Sequence, residues 1–176
     1  MAAEIGPARA SRLAELADVA ARTFPLACPP SVTPPDIAAF VAENLTPARF
    51  GEYLTDPDRI VLTAIDDGRI VAYAMMIRGV PDDTEVARAV TARPAVELSK
   101  MYVLPESHGA GVSAALMSAA LRHASTLGAA CVWLGVNQQN QRAQRFYAKH
   151  GFTITGTKTF RLGTHTEQDY VMVRPA

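Results

Sequence analysis

Between Val96 and Leu127 the chain commits to a strand, a glycine turn and a helix in immediate succession. Val96-Glu97-Leu98-Ser99-Lys100-Met101-Tyr102-Val103 reads as an apolar strand and Leu104-Pro105-Glu106-Ser107 as a short loop. His108-Gly109-Ala110-Gly111-Val112-Ser113 then reads as a turn that opens an alanine-rich helix from Ala114 to about Leu127. A second apolar strand runs from Ala130 to Val136. Strands joined through a helix are the unit of an α/β sheet. The junction also has chemistry. The first N–H groups of a helix lack intrahelical partners, and the helix dipole favours negative charge beside them. Glycines let the backbone come close to a phosphate and adopt conformations that a side chain forbids. A phosphate-bearing ligand is therefore expected near Gly109 to Ser113.

The flanking segments supply the remaining elements. Leu13, Leu16, Val19 and Ala20 recur at helical spacing, which predicts a helix over Ala8 to Arg22. Pro25, Pro29, Pro30, Pro34 and Pro35 predict a loop. Asp36 is the expected N-cap of a second helix, Ile37 to about Asn44, and Pro47 opens a third that ends near Leu54. Arg59 to Ile65 and Arg69 to Arg78 read as strands joined by a tight Asp66-Asp67-Gly68 hairpin. Asp82 to Arg93 is a polar insert with room for a short helix. Arg142 to Lys149 reads as helix, and Thr153 to Leu162 and Tyr170 to Arg174 as two last strands around a polar link, Gly163 to Glu167.

The 176 residues suffice for one domain with a core and are too few for two ordinary ones. A formal net charge of zero gives no global basic field, so neither nucleic acid nor a membrane surface is an expected partner. Acids concentrate over residues 52–85 and bases beyond residue 86, which suits an anionic nucleotide ligand; a solvated charged surface explains the same pattern. Two cysteines, Cys28 and Cys131, make no disulfide framework and no metal cluster, so no metal is expected. No apolar run is long enough to span a bilayer and no signal-peptide pattern opens the chain; the expected location is the cytoplasm.

The glycine turn, after Val103-Leu104-Pro105, resembles the acetyl-CoA signature of the GNAT superfamily of N-acetyltransferases. That signature is Arg or Gln, two residues, Gly, one residue, then Gly or Ala; here it falls on His108, Gly111 and Ser113. A second block of the family has an Asn, an Ala, a Tyr and a Gly-Phe, matched by Asn140, Ala143, Tyr147 and Gly151-Phe152. Both blocks in order are far more specific than a lone glycine turn. Two positions depart from the pattern: His108 brings less fixed charge than Arg, and Ser113 replaces Gly or Ala. Within the superfamily, Val132-Trp133-Leu134-Gly135-Val136, Phe160 with Leu162-Gly163, and Asp169-Tyr170-Val171-Met172 are similar to PaiA-type polyamine acetyltransferases.

The resemblance implies a single α/β domain over residues 1–176, with a mixed, mostly antiparallel twisted sheet of about six to seven strands flanked by helices. It implies a strand pair splayed at the acetyl-CoA site, with acetyl-CoA as co-substrate. The strand Met101-Tyr102-Val103 would hold the pantetheine arm through backbone groups, and the turn His108, Gly109, Ala110, Gly111, Val112, Ser113, Ala114 the phosphates. Asn140, Ala143 and Tyr147 complete the cofactor contacts, although Asn140 serves equally well as a helix N-cap. Tyr147 matches the family's general acid, and packing with Phe146 beneath the helix is the alternative. Glu97, four residues before Met101 and so expected on the same strand face, is the candidate base. Glu43, Glu52 and Asp56 lie where the family builds its acceptor pocket. A small primary amine of polyamine type is the implied acceptor. A protein lysine or N-terminal amine is the alternative acceptor, and a non-catalytic acyl-CoA sensor the alternative function. A homodimer is allowed, since C-terminal strands of this fold often pair between subunits.

Overall fold

The computed structural model describes residues 2–176. Seven strands form one sheet in the order β1-β2-β3-β4-β5-β7-β6: β1 (Glu4–Pro7), β2 (Arg59–Asp66), β3 (Arg69–Arg78), β4 (Ala95–Val103), β5 (Cys131–Asn137), β6 (Thr153–Leu162) and β7 (His165–Pro175). Every pairing is antiparallel except β4 with β5. Six α-helices flank it: α1 (Leu13–Ala27), α2 (Pro34–Asn44), α3 (Pro47–Thr55), α4 (Thr84–Ala89), α5 (Val112–Thr126) and α6 (Gln141–Lys149). The β2–β3 hairpin turns on Asp67 (φ 51°) and Gly68 (φ 75°), both left-handed, as a two-residue turn between twisted strands requires.

One core lies under α5, where Leu116, Met117 and Ala120 meet Leu62, Ala72, Leu98 and Leu134. Another lies under α1 and α3, where Leu16, Phe24, Phe50 and Tyr73 pack together. Trp133, on β5, sits in a third cluster with Val86 and Val90 and donates its indole N–H to the Gly79 carbonyl at 3.1 Å. Leu116 is fully buried, so Leu116→Ala should cost about 2–5 kcal/mol, read as a lower urea midpoint at constant slope.

Several expectations change. The N-terminal strand β1 was invisible to periodicity because only four residues pair. Helix α1 starts later than expected and runs through Pro25, which loses a single hydrogen bond in the last turn while Phe24 stacks on Phe40 at 4.4 Å. The N-cap of α2 is Thr33, whose hydroxyl accepts from the Asp36 N–H, with Pro34 and Pro35 as the opening residues; Asp36 is inside the helix. The link between the last strands is a tight turn at Gly163 (φ 62°) and Thr164, and β7 begins at His165.

Candidate active site

β4 and β5 are hydrogen-bonded neighbours only over Ala95↔Cys131, Val96↔Val132 and Glu97↔Trp133. Beyond that they part, leaving a gap inside the sheet. The Leu104 N–H donates to Val71 on β3 at 2.9 Å, so by alternation the N–H and C=O of Val103, and of Met101 before it, face the gap. His108 already engages one of these groups, its Nε2 donating to the Val103 carbonyl at 2.9 Å. Its Nδ1 accepts from Arg142 Nη2 at 3.1 Å. Both ring nitrogens of His108 are therefore used within the chain, and the charge standing at this corner is the Arg142 guanidinium.

Gly109 (φ 81°) and Gly111 (φ 79°) hold the turn in left-handed conformations, and Gly111 is the N-cap of α5. No side chain caps this helix, and its first intrahelical bond runs from the Ala115 N–H to the Gly111 carbonyl at 3.1 Å. The N–H groups of Val112, Ser113 and Ala114 thus precede the intrahelical ladder. The Val112 side chain is buried in the core and anchors the turn. Ala110, Gly111 and Ala114 are exposed on its outer side, while His108, Gly109 and Ser113 line a cleft that continues into the gap.

That cleft measures about 450 Å³ and runs through the sheet. On the α5–α6 face it meets Asn140, Ala143 and Tyr147, together with Met101 and Val103. Asn140 caps α6, its Oδ1 accepting from the Ala143 N–H at 3.1 Å. The Tyr147 ring packs edge-on against Phe146 at 5.6 Å and Phe152 at 5.9 Å, and burial pushes its phenol up to about 12. Tyr102 points to the other face, towards Tyr73, and burial pushes its phenol up as well.

The expectation that Glu97 and Met101 share a face is overturned by a β-bulge. Met75 pairs with Lys100 and Met76 with Leu98, so Ser99 is an extra residue and the alternation slips by one. Val96, Leu98, Met101 and Val103 face α5; Glu97, Lys100 and Tyr102 face α1 and α2. Burial raises the Glu97 carboxyl above its ordinary range, and Lys158, Lys100 and Arg59 pull it part of the way back. The cleft's charged chamber is therefore on the α1–α2 face. Glu167 and Asp169 enter it from β7 and Lys158 from β6. Lys158 Nζ is 3.7 Å from Asp169 Oδ2, and Glu167 accepts from Ser31 Oγ at 2.9 Å. Gly135 makes room for this crossing, since a Cβ there would lie 2.7 Å from Lys158 Cε.

Glu43, Glu52 and Asp56 do not reach the cleft. Glu52 pairs with Arg49 at 2.9 Å and Asp56 with Arg59 at 3.0 Å; the pocket acids come from the sheet instead. Glu167 and Asp169 were missed because residues 163–167 read as a polar link. The signal was present as period-two alternation: Glu167, Asp169 and Val171 are buried at alternate positions of β7, with Met172 buried on the opposite face.

An open sheet split between two parallel strands, with an uncapped helix start at the mouth of the split, defines an α/β domain that can take an extended phosphate-bearing ligand. The acetyltransferase (GNAT) family model matches residues 16–152. A Mycobacterium tuberculosis (strain ATCC 25618 / H37Rv) protein named as an uncharacterized N-acetyltransferase is 64% identical over 160 residues, 91% of this chain and 95% of that protein. Another so named, from Lactobacillus delbrueckii subsp. lactis, is 23% identical over 80% of this chain and 78% of its own. The structure of PaiA N-acetyltransferase from Thermoplasma acidophilum in complex with coenzyme A shares the fold, with a TM-score of 0.79 at 19% identity and 100% of both chains covered. The chain belongs to the GNAT family of acetyltransferases. It is an N-acetyltransferase with acetyl-CoA as co-substrate.

Proposed function

We propose that the protein transfers the acetyl group of acetyl-CoA to a small primary amine by direct attack within a ternary complex. The observation that carries this is the division of the cleft by the sheet, with a carboxylate on one face and a phenol on the other. Acetyl-CoA supplies the acetyl group as a thioester, and the split in the sheet is where its arm fits. The N–H groups of residues 112–114 and the Arg142 guanidinium receive the phosphates. The gap-facing N–H groups of Met101 and Val103 hold the arm, and the Met101 N–H polarises the thioester oxygen. Glu97 takes the proton from the amine as the C–N bond forms, directly or through a water. Tyr147 gives its proton to sulfur as the C–S bond breaks, and its raised phenol stays protonated at neutral pH. His108 positions Arg142 and occupies the Val103 carbonyl.

A small-molecule acceptor fits the cleft's size, with the polyamine type as one candidate. Both cysteines are free, which suits a reducing cytoplasm. Thiol release, followed with a panel of amines after acetyl-CoA binding has been measured, tests the whole reading. Binding without release on any amine would reject it. Tyr147→Phe should lower kcat about tenfold with little change in acetyl-CoA affinity, a modest loss because a thiolate is a tolerable leaving group. An unchanged kcat would remove Tyr147 from the reaction.

A further inference from the structure

The charged chamber on the α1–α2 face holds three acids and two lysines, and their pairing leaves a defined remainder. Lys158 and Asp169 face each other. Glu167 is held by neutral donors, Ser31 at 2.9 Å and Asn137 at 3.5 Å. Glu97 and Lys100 line the same chamber, yet among the described residues neither side chain makes a hydrogen bond or an ion pair. They stand three positions apart on β4, set on one face by the Ser99 bulge. Lys100 extends over the Phe40 ring, its Nζ 5.7 Å from the centroid. Burial pushes its ammonium down, and the Glu97 charge pushes it back up. A partly buried charge without a partner is costly, and a ligand of opposite charge relieves that cost.

The side walls are aromatic. Phe24 stacks on Phe40, Phe160 meets Phe40 edge-on at 6.1 Å, and Lys158 Nζ lies 5.6 Å from the Phe160 centroid. A ligand complementary to this chamber has an amine for the carboxylates, an anionic group for the free ammonium and an apolar portion for the rings. A polyamine answers only the first of these and brings its positive charges against Lys100.

We propose that the acceptor is a small amine carrying a carboxylate and an apolar side chain, as an apolar α-amino acid does, with Lys100 holding the carboxylate. The inference rests on the transferase reading above and narrows its acceptor. Lys100 is then a specificity residue, distinct from the proton-moving groups.

The test is calorimetric binding of L-phenylalanine, L-leucine and L-methionine, of their amides, and of spermidine. It is run on the free protein and on protein saturated with CoA, the thiol product, so that no turnover intervenes. At least one free acid should bind about tenfold or more tightly than its own amide. Lys100→Met should weaken that acid about tenfold and leave the amide within about twofold, since a methionine keeps the contact with Phe40 and removes only the charge. The inference is overturned if no acid binds, if acid and amide bind alike, if spermidine binds more tightly than all of them, or if Lys100→Met weakens acid and amide equally. Thiol release distinguishes the two levels. Turnover of spermidine alone would leave the transferase and remove this acceptor. Selective acid binding without release on any amine would keep the subsite and reject the transfer.

Discussion

Glu97→Gln is expected to lower kcat by about 10²-fold or more at neutral pH, the usual loss when a positioned base is removed. The substitution keeps the shape of the side chain and its place on β4. It removes the one carboxylate among the described residues of the α1–α2 chamber that can take the amine's proton without first leaving an ion pair or hydrogen bond. The pH dependence has a definite sign. Burial raises the Glu97 carboxyl, so the base form is lost, as pH falls, earlier than for an ordinary carboxylate. The wild-type kcat should therefore decline on an acidic limb displaced upward, and the Gln variant should lack that limb. Stability provides the control. A carboxyl whose folded-state pKa is raised contributes stability below its unfolded pKa, and loses it as pH rises through the folded one. A glutamine is neutral at every pH, as the protonated carboxyl is, and escapes the cost of burying a charge, so Glu97→Gln should not lower Tm. A loss of rate at undiminished Tm identifies a proton carrier; a kcat within about threefold of wild type would exclude Glu97 as the base.

Gly111→Glu should reduce acetyl-CoA affinity by about 100-fold or more in a calorimetric titration. Two effects add. A residue with a side chain at φ 79° is strained by about 1–2 kcal/mol, and the local turn shifts to relieve it. The new carboxylate also arrives at an uncapped helix start, where it competes for the N–H groups of residues 112–114 and repels phosphate. Gly111→Ala separates the two, because it carries the strain without the charge and should lose much less. Equal affinity in wild type and Glu variant would mean that the phosphates bind elsewhere.

The elements proposed to hold the cofactor were legible because their signals are local. The glycine turn, the helix behind it and the Asp-Gly hairpin each depend on neighbours a few residues away, and all three stand where the spacing put them. Asn140 was readable as a cap for the same reason. The acceptor side was much less legible. The extra residue at Ser99 is visible only when β4 is set against β3, and without it strict alternation assigns Glu97 to the wrong face. Glu167 and Asp169 belong to a strand that pairs with β6 through a tight local hairpin and with β5 some thirty residues earlier, and it was their polarity that hid the strand. The engagement of His108 by Arg142 joins positions 34 apart and leaves no trace in spacing.

The split has a consequence for solubility. Two strand margins with unsatisfied backbone groups face each other in the middle of a sheet, and free margins of this kind invite foreign strands and seed aggregation. Most sheets carry that hazard on their outermost strands, where charge or a covering helix blunts it. Here the hazard is interior and the protection is a matter of shape. The slot is closed at one end by the three pairs from Ala95 to Glu97, and the Val103 carbonyl at the other end is already taken by a His108 tethered across to α6. A slender, flexible chain with few hydrogen-bonding groups can thread such a slot, whereas a peptide finds too short a run of free partners to zip into place.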